Sequence, residues 1–215
     1  MNLQKDIEVG SLRFLGNKLS SLSPQKTVIA GKSIRGICMA LDYKCFQYRN
    51  HRLKNIFIAS GNTGILYIYV NPKYRNYRKI FGEFFNVPIG FHVDHVLGRR
   101  IAEHYKYNYV ALCMIPGNVN IKHGGFEKLS YQKGRIHTLI DVCYCDNRIY
   151  NKILSRNPRA RCSETDLSDG FHHTNLVSYG LTLKQKGLWN MAFGIGSIRL
   201  NASEGKSLKQ FEFQV

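Results

Sequence analysis

Two β-rich runs between residues 53 and 70 form the clearest pattern along the chain. The segment LKNIFIASGNTGILYIYV places apolar and β-branched residues on both sides of Ser-Gly-Asn-Thr-Gly. Glycines in such a short connection supply the positive φ angles that a tight turn requires. The pattern therefore predicts a β-hairpin over residues 53–70.

A second series of apolar runs begins after residue 90. FHVDHVL at 91–97 indicates a strand, residues 98–105 indicate a short helical excursion, and YNYVALCMIP at 107–116 indicates a second, buried strand. NVNIKHGGFEKLSYQK, which follows, is typical of a loop that enters a helix. The predicted order is strand, insert, strand, helix.

The remaining pattern is weaker but favours β-structure. SLSPQKTVIAGKS predicts a loop with a short strand, and LWNMAFGIGSIRLN and KQFEFQV predict strands near the C-terminus. No repeat, low-complexity tract or linker divides the 215 residues. We expect a mixed α+β, β-rich single domain. It has a β-rich part at 1–90, a central motif at 91–132 and a C-terminal α/β elaboration at 133–215.

The charge balance adds a partner class. The chain carries 31 Lys and Arg against 14 Asp and Glu, a formal net charge of +17. Such an excess attracts polyanions, of which nucleic acid is the first choice; an anionic membrane surface or an acidic protein is the alternative. The basic residues concentrate at 73–79, 99–106 and 152–161, and these segments are expected to guide the nucleic acid.

One basic segment also carries aromatic residues. NPKYRNYRKIFGEFF interleaves its cations with Tyr74 and Tyr77, which suits a phosphate backbone and stacked bases. The alternative is a solvated helix whose tyrosines extend along its surface. The residues expected to bind nucleic acid are Lys73, Arg75, Arg78, Lys79, Arg99, Arg100 and Lys122.

Cysteine spacing and hydropathy limit the compartment. The six cysteines have no framework or zinc-site spacing, and the polar start MNLQKDIEVG is no cleavable signal peptide. We therefore expect a cytoplasmic protein with reduced cysteines, and we expect the cysteines in apolar surroundings to be buried. No run approaches the roughly 18 apolar residues of a membrane span, so no membrane partner is expected.

Polar residues with the chemistry of phosphodiester hydrolysis cluster in the central motif. That reaction needs a base to activate water, a cation to stabilise developing charge, and a residue that holds the base in its productive tautomer. Oxygen and imidazole ligands with open positions suit Mg²⁺, Mn²⁺ or Zn²⁺. The residues that supply these types are Asp94, His95, Asn118, Asn120, His123 and Glu127.

VDHVLGRR followed by YVALCMIPGNVNIKHGGFEK resembles the ββα-metal endonucleases, or His-Me finger nucleases, which include HNH enzymes and non-specific DNA/RNA nucleases. The resemblance covers about residues 91–130. It implies a general base at His95, metal ligands at Asp94 and His123, and one divalent cation, with Mg²⁺ preferred over Mn²⁺ or Zn²⁺. It further implies that Asn120 or Asn118 orients His95, and that Glu127 competes with His123 as the helical metal ligand.

Two departures from the family pattern leave those assignments open. The asparagines follow His95 by 23 and 25 positions, which requires an insert around residues 98–106, and no cysteine pairs flank the motif. An isolated Asp-His pair is usually a turn with a surface imidazole, and PGNVN forms turns for purely local reasons.

The combined expectation is a metal-dependent endonuclease that hydrolyses DNA, with RNA as the second substrate. A toxin or defence role would require an acidic inhibitor or immunity protein as a partner. Two rival hypotheses remain. One is a non-catalytic basic nucleic-acid-binding protein. The other is a metal-independent RNA-cleaving toxin that uses His95 or the pair His172 and His173 as acid and base.

Overall fold

The computed structural model describes residues 27–41, 44–60, 66–133, 141–145, 147–156, 158, 192 and 208–211. These residues form strands and helices in a mixed α+β arrangement, as predicted. In chain order the elements are β1 Val28–Gly31, α1 Ile34–Leu41, β2 Lys44–Tyr48, β3 Ile56–Ser60, β4 Leu66–Val70, α2 Tyr77–Phe84, β5 Phe91–His95, α3 Arg99–His104, β6 Tyr109–Pro116, α4 Gly117–Lys133, β7 Val142–Tyr144, α5 Asn147–Ile153 and β8 Leu208–Phe211.

The strands join into one antiparallel sheet in the order β7-β1-β6-β4-β3-β2-β8, with β5 added on β6. The predicted hairpin is confirmed, because β3 pairs with β4 from Ile56 opposite Val70 to Ser60 opposite Leu66. Its turn, residues 61–65, lies outside the described residues. The predicted C-terminal strand in KQFEFQV is present as β8 at the edge of β2, whereas the strand predicted in LWNMAFGIGSIRLN falls, apart from Ala192, on residues that are not described.

Strand β6 is shared between two parts of the sheet. Val110, near its beginning, lies opposite Ala30 of β1 and Val70 of β4. Further along, the strand turns to β5, with Cys113 opposite Asp94. The eight residues of β6 are long enough for both pairings. The end of β5 is therefore attached to the centre of the sheet.

Two hydrophobic cores cover the two faces of β5 and β6. Successive side chains of a strand point to opposite faces, so neighbouring residues enter different cores. The first core includes Cys113 and Ile115 of β6, Ile101 of α3, and Ile149 and Ile153 of α5. The second core includes Leu112 and Met114 of β6, Val93 of β5, and Tyr77, Ile80, Phe81 and Phe84 of α2.

Helix α4 begins at Gly117, directly after the last residue of β6. The loop predicted before this helix is therefore absent, and PGNVN is a strand end plus a first helical turn. The alternative of a plain turn is wrong for this segment. A Cβ at Gly117 would lie 2.7 Å from Nε2 of His92, so a larger residue here would have to displace that ring.

The cysteines differ in part from expectation. Cys38 and Cys45 form a disulfide between α1 and β2, so the prediction of reduced thiols is wrong for this pair. Cys113, Cys143 and Cys145 are buried and take part in no disulfide among the described residues, and the burial of Cys143 and Cys145 agrees with the expectation of buried thiols. Among the described residues, no helix combines the length and apolar character that a membrane crossing needs.

Candidate functional site

The central motif has the predicted order of elements. Strand β5 pairs antiparallel with β6, helix α3 forms the insert between them, and α4 follows β6 and packs against both strands. The long separation between His95 and the asparagines is therefore explained by α3 and β6. The assignment of this arrangement to a metal-binding nuclease stays a prediction.

Asp94 and His95 point to opposite faces of β5. The His95 ring contacts Tyr77 of α2, with ring centroids 4.5 Å apart, and its cross-strand partner Leu112 belongs to the second core. Asp94 lies opposite Cys113 of the first core and contacts α5 through Lys152. The alternation of side chains along a strand accounts for this separation. The two residues do not act from one side of the strand.

Lys152 binds the end of β5 from the first-core side. Its Nζ atom donates to Oδ2 of Asp94 at 3.1 Å, to the carbonyl oxygen of His95 at 3.1 Å and to that of Val96 at 3.5 Å. The lysine is 1% exposed. Three acceptors match the three donors of an ammonium group, so this buried charge is fully coordinated. It fixes the backbone at the residue that carries the candidate base.

Sequence analysis missed this role of Lys152. It assigned residues 152–161 to a basic surface, which is wrong for Lys152. The signal was present in NRIYNKI, because Ile149, Lys152 and Ile153 are spaced three and four residues apart and share one helical face. Both isoleucines are buried, so the lysine between them had to be buried as well.

The carboxyl group of Asp94 is held in its charged form. Burial alone would raise its pKa, but the charge of Lys152 and the hydrogen bond from its ammonium lower it, with a smaller contribution from His95. The net effect is a pKa below the ordinary value. Asp94 and Lys152 are therefore a charged pair in which the lysine is buried and the aspartate side chain is 26% exposed.

His95 is a neutral, buried imidazole. Its side chain is 0% exposed, and burial lowers its pKa to about 4, although the charge of Asp94 acts in the opposite direction. The positive charges of Arg99, Lys152 and Arg78 lower it further. Neither ring nitrogen has a hydrogen-bond partner in the part of the chain that the structure describes. One nitrogen of this ring carries a free lone pair near neutral pH.

The start of α4 and its candidate ligand His123 lie on the Asp94 side of the sheet. His92, two residues from Asp94 on the same face, packs its ring on Gly117 at the start of this helix. His123 of α4 contacts Arg156, the third residue after the end of α5. Helix α4 therefore shares the face that α5 covers, and the His95 ring projects away from it.

His123 is committed to a hydrogen bond. Its Nε2 atom lies 2.7 Å from the carbonyl oxygen of Arg156 and must donate, because a carbonyl only accepts. The lone pair is therefore on Nδ1. Burial lowers the pKa of His123, so the ring is neutral. Asn118 is exposed and its Oδ1 accepts from the backbone N–H of Val119 at 2.8 Å, whereas Asn120 is half-buried.

The predicted metal ligands are not gathered into one cluster in the described part of the chain. No group of three His, Cys, Asp or Glu side chains stands close enough among the described residues to hold a metal ion. Of the three predicted ligands, Asp94 binds Lys152 and His123 binds Arg156. The side chain of Glu127 lies outside the described residues.

The predicted nucleic-acid-binding residues are exposed and lie on three helices or their flanks. Four belong to α2 and the segment before it, two begin α3, and one lies on α4: Lys73, Arg75, Arg78, Lys79, Arg99, Arg100 and Lys122. Tyr77 differs from expectation, because it is 7% exposed and covers His95. It belongs to the second core and presents no open face for stacking on a base.

The chain matches no protein-family model, and no curated protein or solved structure matches it. The site must be interpreted from its geometry.

Proposed function

We propose that this protein is an endonuclease that hydrolyses phosphodiester bonds of nucleic acid, with His95 as the general base. The observation that carries the proposal is the state of His95: a neutral, unpartnered imidazole at the end of a central strand, with arginine charges around it. An unsatisfied buried polar group requires an explanation, and a catalytic role is a common one.

The surrounding residues suit the steps of this reaction. His95 would accept a proton from water, and the resulting hydroxide would attack phosphorus. Arg78 and Arg99, both exposed, would bind the phosphate and stabilise its developing charge. Lys152 would hold His95 in position through its hydrogen bond to the His95 carbonyl oxygen. The departing sugar oxygen would take its proton from solvent. Tyr77 must move before substrate can reach the ring.

The proposed substrate is DNA, and the proposed role is that of a toxin or defence nuclease. The net charge of +17 supports a polyanionic substrate, and DNA is favoured over RNA by the resemblance to the ββα-metal endonucleases. That resemblance also favours one divalent cation, with Mg²⁺ first. A toxin or defence role in the cytoplasm, restrained by an acidic inhibitor or immunity protein, is the biological setting that we propose.

Nicking of supercoiled plasmid tests the activity. We expect conversion to open circles by the purified protein with Mg²⁺ or Mn²⁺, and none with EDTA. Equal cleavage in EDTA would support the metal-independent rival instead. No cleavage with Mg²⁺, Mn²⁺ or Zn²⁺ would overturn the enzyme hypothesis.

A specific observation favours the second candidate, a non-catalytic nucleic-acid-binding protein. The His95 ring is completely covered, and Asp94 is already neutralised by Lys152. On this account the pair stabilises the fold, and the basic helices bind nucleic acid without cutting it. Retained binding without nicking is the result that it predicts.

A further inference from the structure

An open groove runs between α2 and the beginning of β5. It has a volume of about 550 Å³. Arg78 and Gly82 line it from α2, and Phe91, His92 and Val93 line it from β5. The volume lies within the roughly 300–1,000 Å³ of small-ligand sites. No residue of this groove other than Arg78 entered the sequence-based site.

The lining combines two chemical types. Arg78 is exposed and offers guanidinium donors at the mouth of the groove, whereas the His92 ring lies on the other face of β5 against Gly117. Val93 is buried and Phe91 is half-buried, so they present an apolar surface beneath. A guanidinium binds phosphate through paired N–H groups, and a phenyl ring stacks on any nucleobase. A nucleotide presents both of these partners, whereas an acidic peptide offers charge without a flat ring.

The groove also lies beside the candidate base. Val93 and His95 are two residues apart on β5 and therefore point to the same face. Tyr77, next to Arg78 in the chain, covers the His95 ring, and the Arg78 guanidinium lies over Tyr77 at 5.4 Å from its ring centroid. A nucleotide in the groove would place the adjoining phosphodiester near the residue that shields His95.

We propose that this groove binds one nucleotide of a nucleic-acid strand, with its phosphate on Arg78 and its base against Phe91. The inference rests on the proposed function for its substrate class and adds the subsite that grips the strand. It holds for a nuclease and for a non-catalytic binder alike, so it can be tested apart from cleavage.

Gly82 provides a direct test. A Cβ at this position meets nothing within 4 Å, so a leucine extends into the groove without displacing the fold. Gly125 of α4 is exposed and equally open, and Gly125→Leu gives the matched control with the same gain in helix propensity. Affinity for a fluorescein-labelled single-stranded oligodeoxynucleotide is measured by anisotropy. We expect Gly82→Leu to weaken binding by about tenfold, the order expected for one lost stacked base, and Gly125→Leu to leave it unchanged.

A charge-matched pair tests the phosphate contact. Arg78→Gln and Arg52→Gln each remove one exposed positive charge, but Arg52 lies in the β2–β3 connection and outside the groove. Arg78→Gln should weaken binding more than Arg52→Gln and reduce the salt slope by about one. If Gly82→Leu binds as tightly as Gly125→Leu, and Arg78→Gln as tightly as Arg52→Gln, the groove does not bind the strand and the inference is overturned.

The two proposals fail separately. Weaker binding by Gly82→Leu and Arg78→Gln, together with no nicking by the wild type, supports the groove and overturns the nuclease. If the wild type nicks plasmid and both groove variants bind as tightly as their controls, the nuclease is supported and the groove is overturned. Selective capture of a polyglutamate peptide in place of the oligonucleotide would also overturn the nucleotide site.

Discussion

His95 determines how the molecule should respond to acid. Its folded pKa of about 4 lies below the ordinary 6.5, so the unfolded chain binds more protons between these values. Stability is present above pH 6.5 and is lost as the pH falls to about 4. The difference between the two pKa values corresponds to roughly 3 kcal/mol of unfolding free energy.

Urea unfolding at pH 7, 6, 5 and 4.5 measures this effect. His95→Gln removes the titrating ring and should flatten the decline relative to the wild type, whereas His51→Gln in the connection after β2 should not. An identical pH dependence in the wild type and His95→Gln would show that the ring protonates freely in the folded protein.

The ion pair of Asp94 and Lys152 gives a second prediction at the scale of residues. Lys152→Met leaves Asp94 without its cation, and because the Asp94 side chain is 26% exposed, we expect a loss of about 1–3 kcal/mol of unfolding free energy, below that of a fully buried pair. Lys152→Met combined with Asp94→Asn should recover part of the loss, because no unpaired charge remains. Lys54→Met, at an exposed position, is the control. A loss below about 1 kcal/mol would mean that the pair contributes no more than an exposed one.

Sequence analysis identified Asp94 and His95 but not their separation. Adjacent residues of one strand necessarily face opposite ways, and that follows from the strand prediction alone. What the sequence did not contain was which face α4 and α2 would cover, because that depends on long-range packing. Lys152 was missed because its charge was considered before its position on an apolar helical face.

At the scale of elements, α4 contains three glycines with different surroundings. Gly125 is open and exposed, so Gly125→Ala should raise the unfolding free energy by about 0.5–1 kcal/mol through helix propensity. Gly117→Ala should show no such gain, because its Cβ would displace the His92 ring. Chemical denaturation measures both variants. An equal gain at the two positions would contradict the contact between His92 and the start of α4.

The local elements were largely predictable, and their assembly was not. Apolar runs and turn residues located the hairpin of β3 and β4 and the order β5, α3, β6, α4, since these depend on short-range periodicity. The place of β8 beside β2 joins residues more than 150 positions apart and leaves no local signal. The disulfide between Cys38 and Cys45 spans only seven positions, but it depends on how the end of α1 meets β2.

At the scale of the whole molecule, the net charge of +17 should make nucleic-acid binding strongly salt-dependent. Each neutralised phosphate contributes about −0.9 to the log–log slope on duplex DNA and about −0.7 on single strands. Duplex affinity measured from 50 to 300 mM NaCl gives the number of contacts. A slope near zero would mean that the basic helices serve another partner.

The central claim is that His95 is the base, and the rate of plasmid nicking by His95→Ala in Mg²⁺ tests it most directly. We predict a loss of about 10²-fold or more with oligonucleotide affinity nearly unchanged, because the variant removes the base and none of the exposed cations. His51→Ala should nick at the wild-type rate. Wild-type nicking by folded His95→Ala would contradict the account.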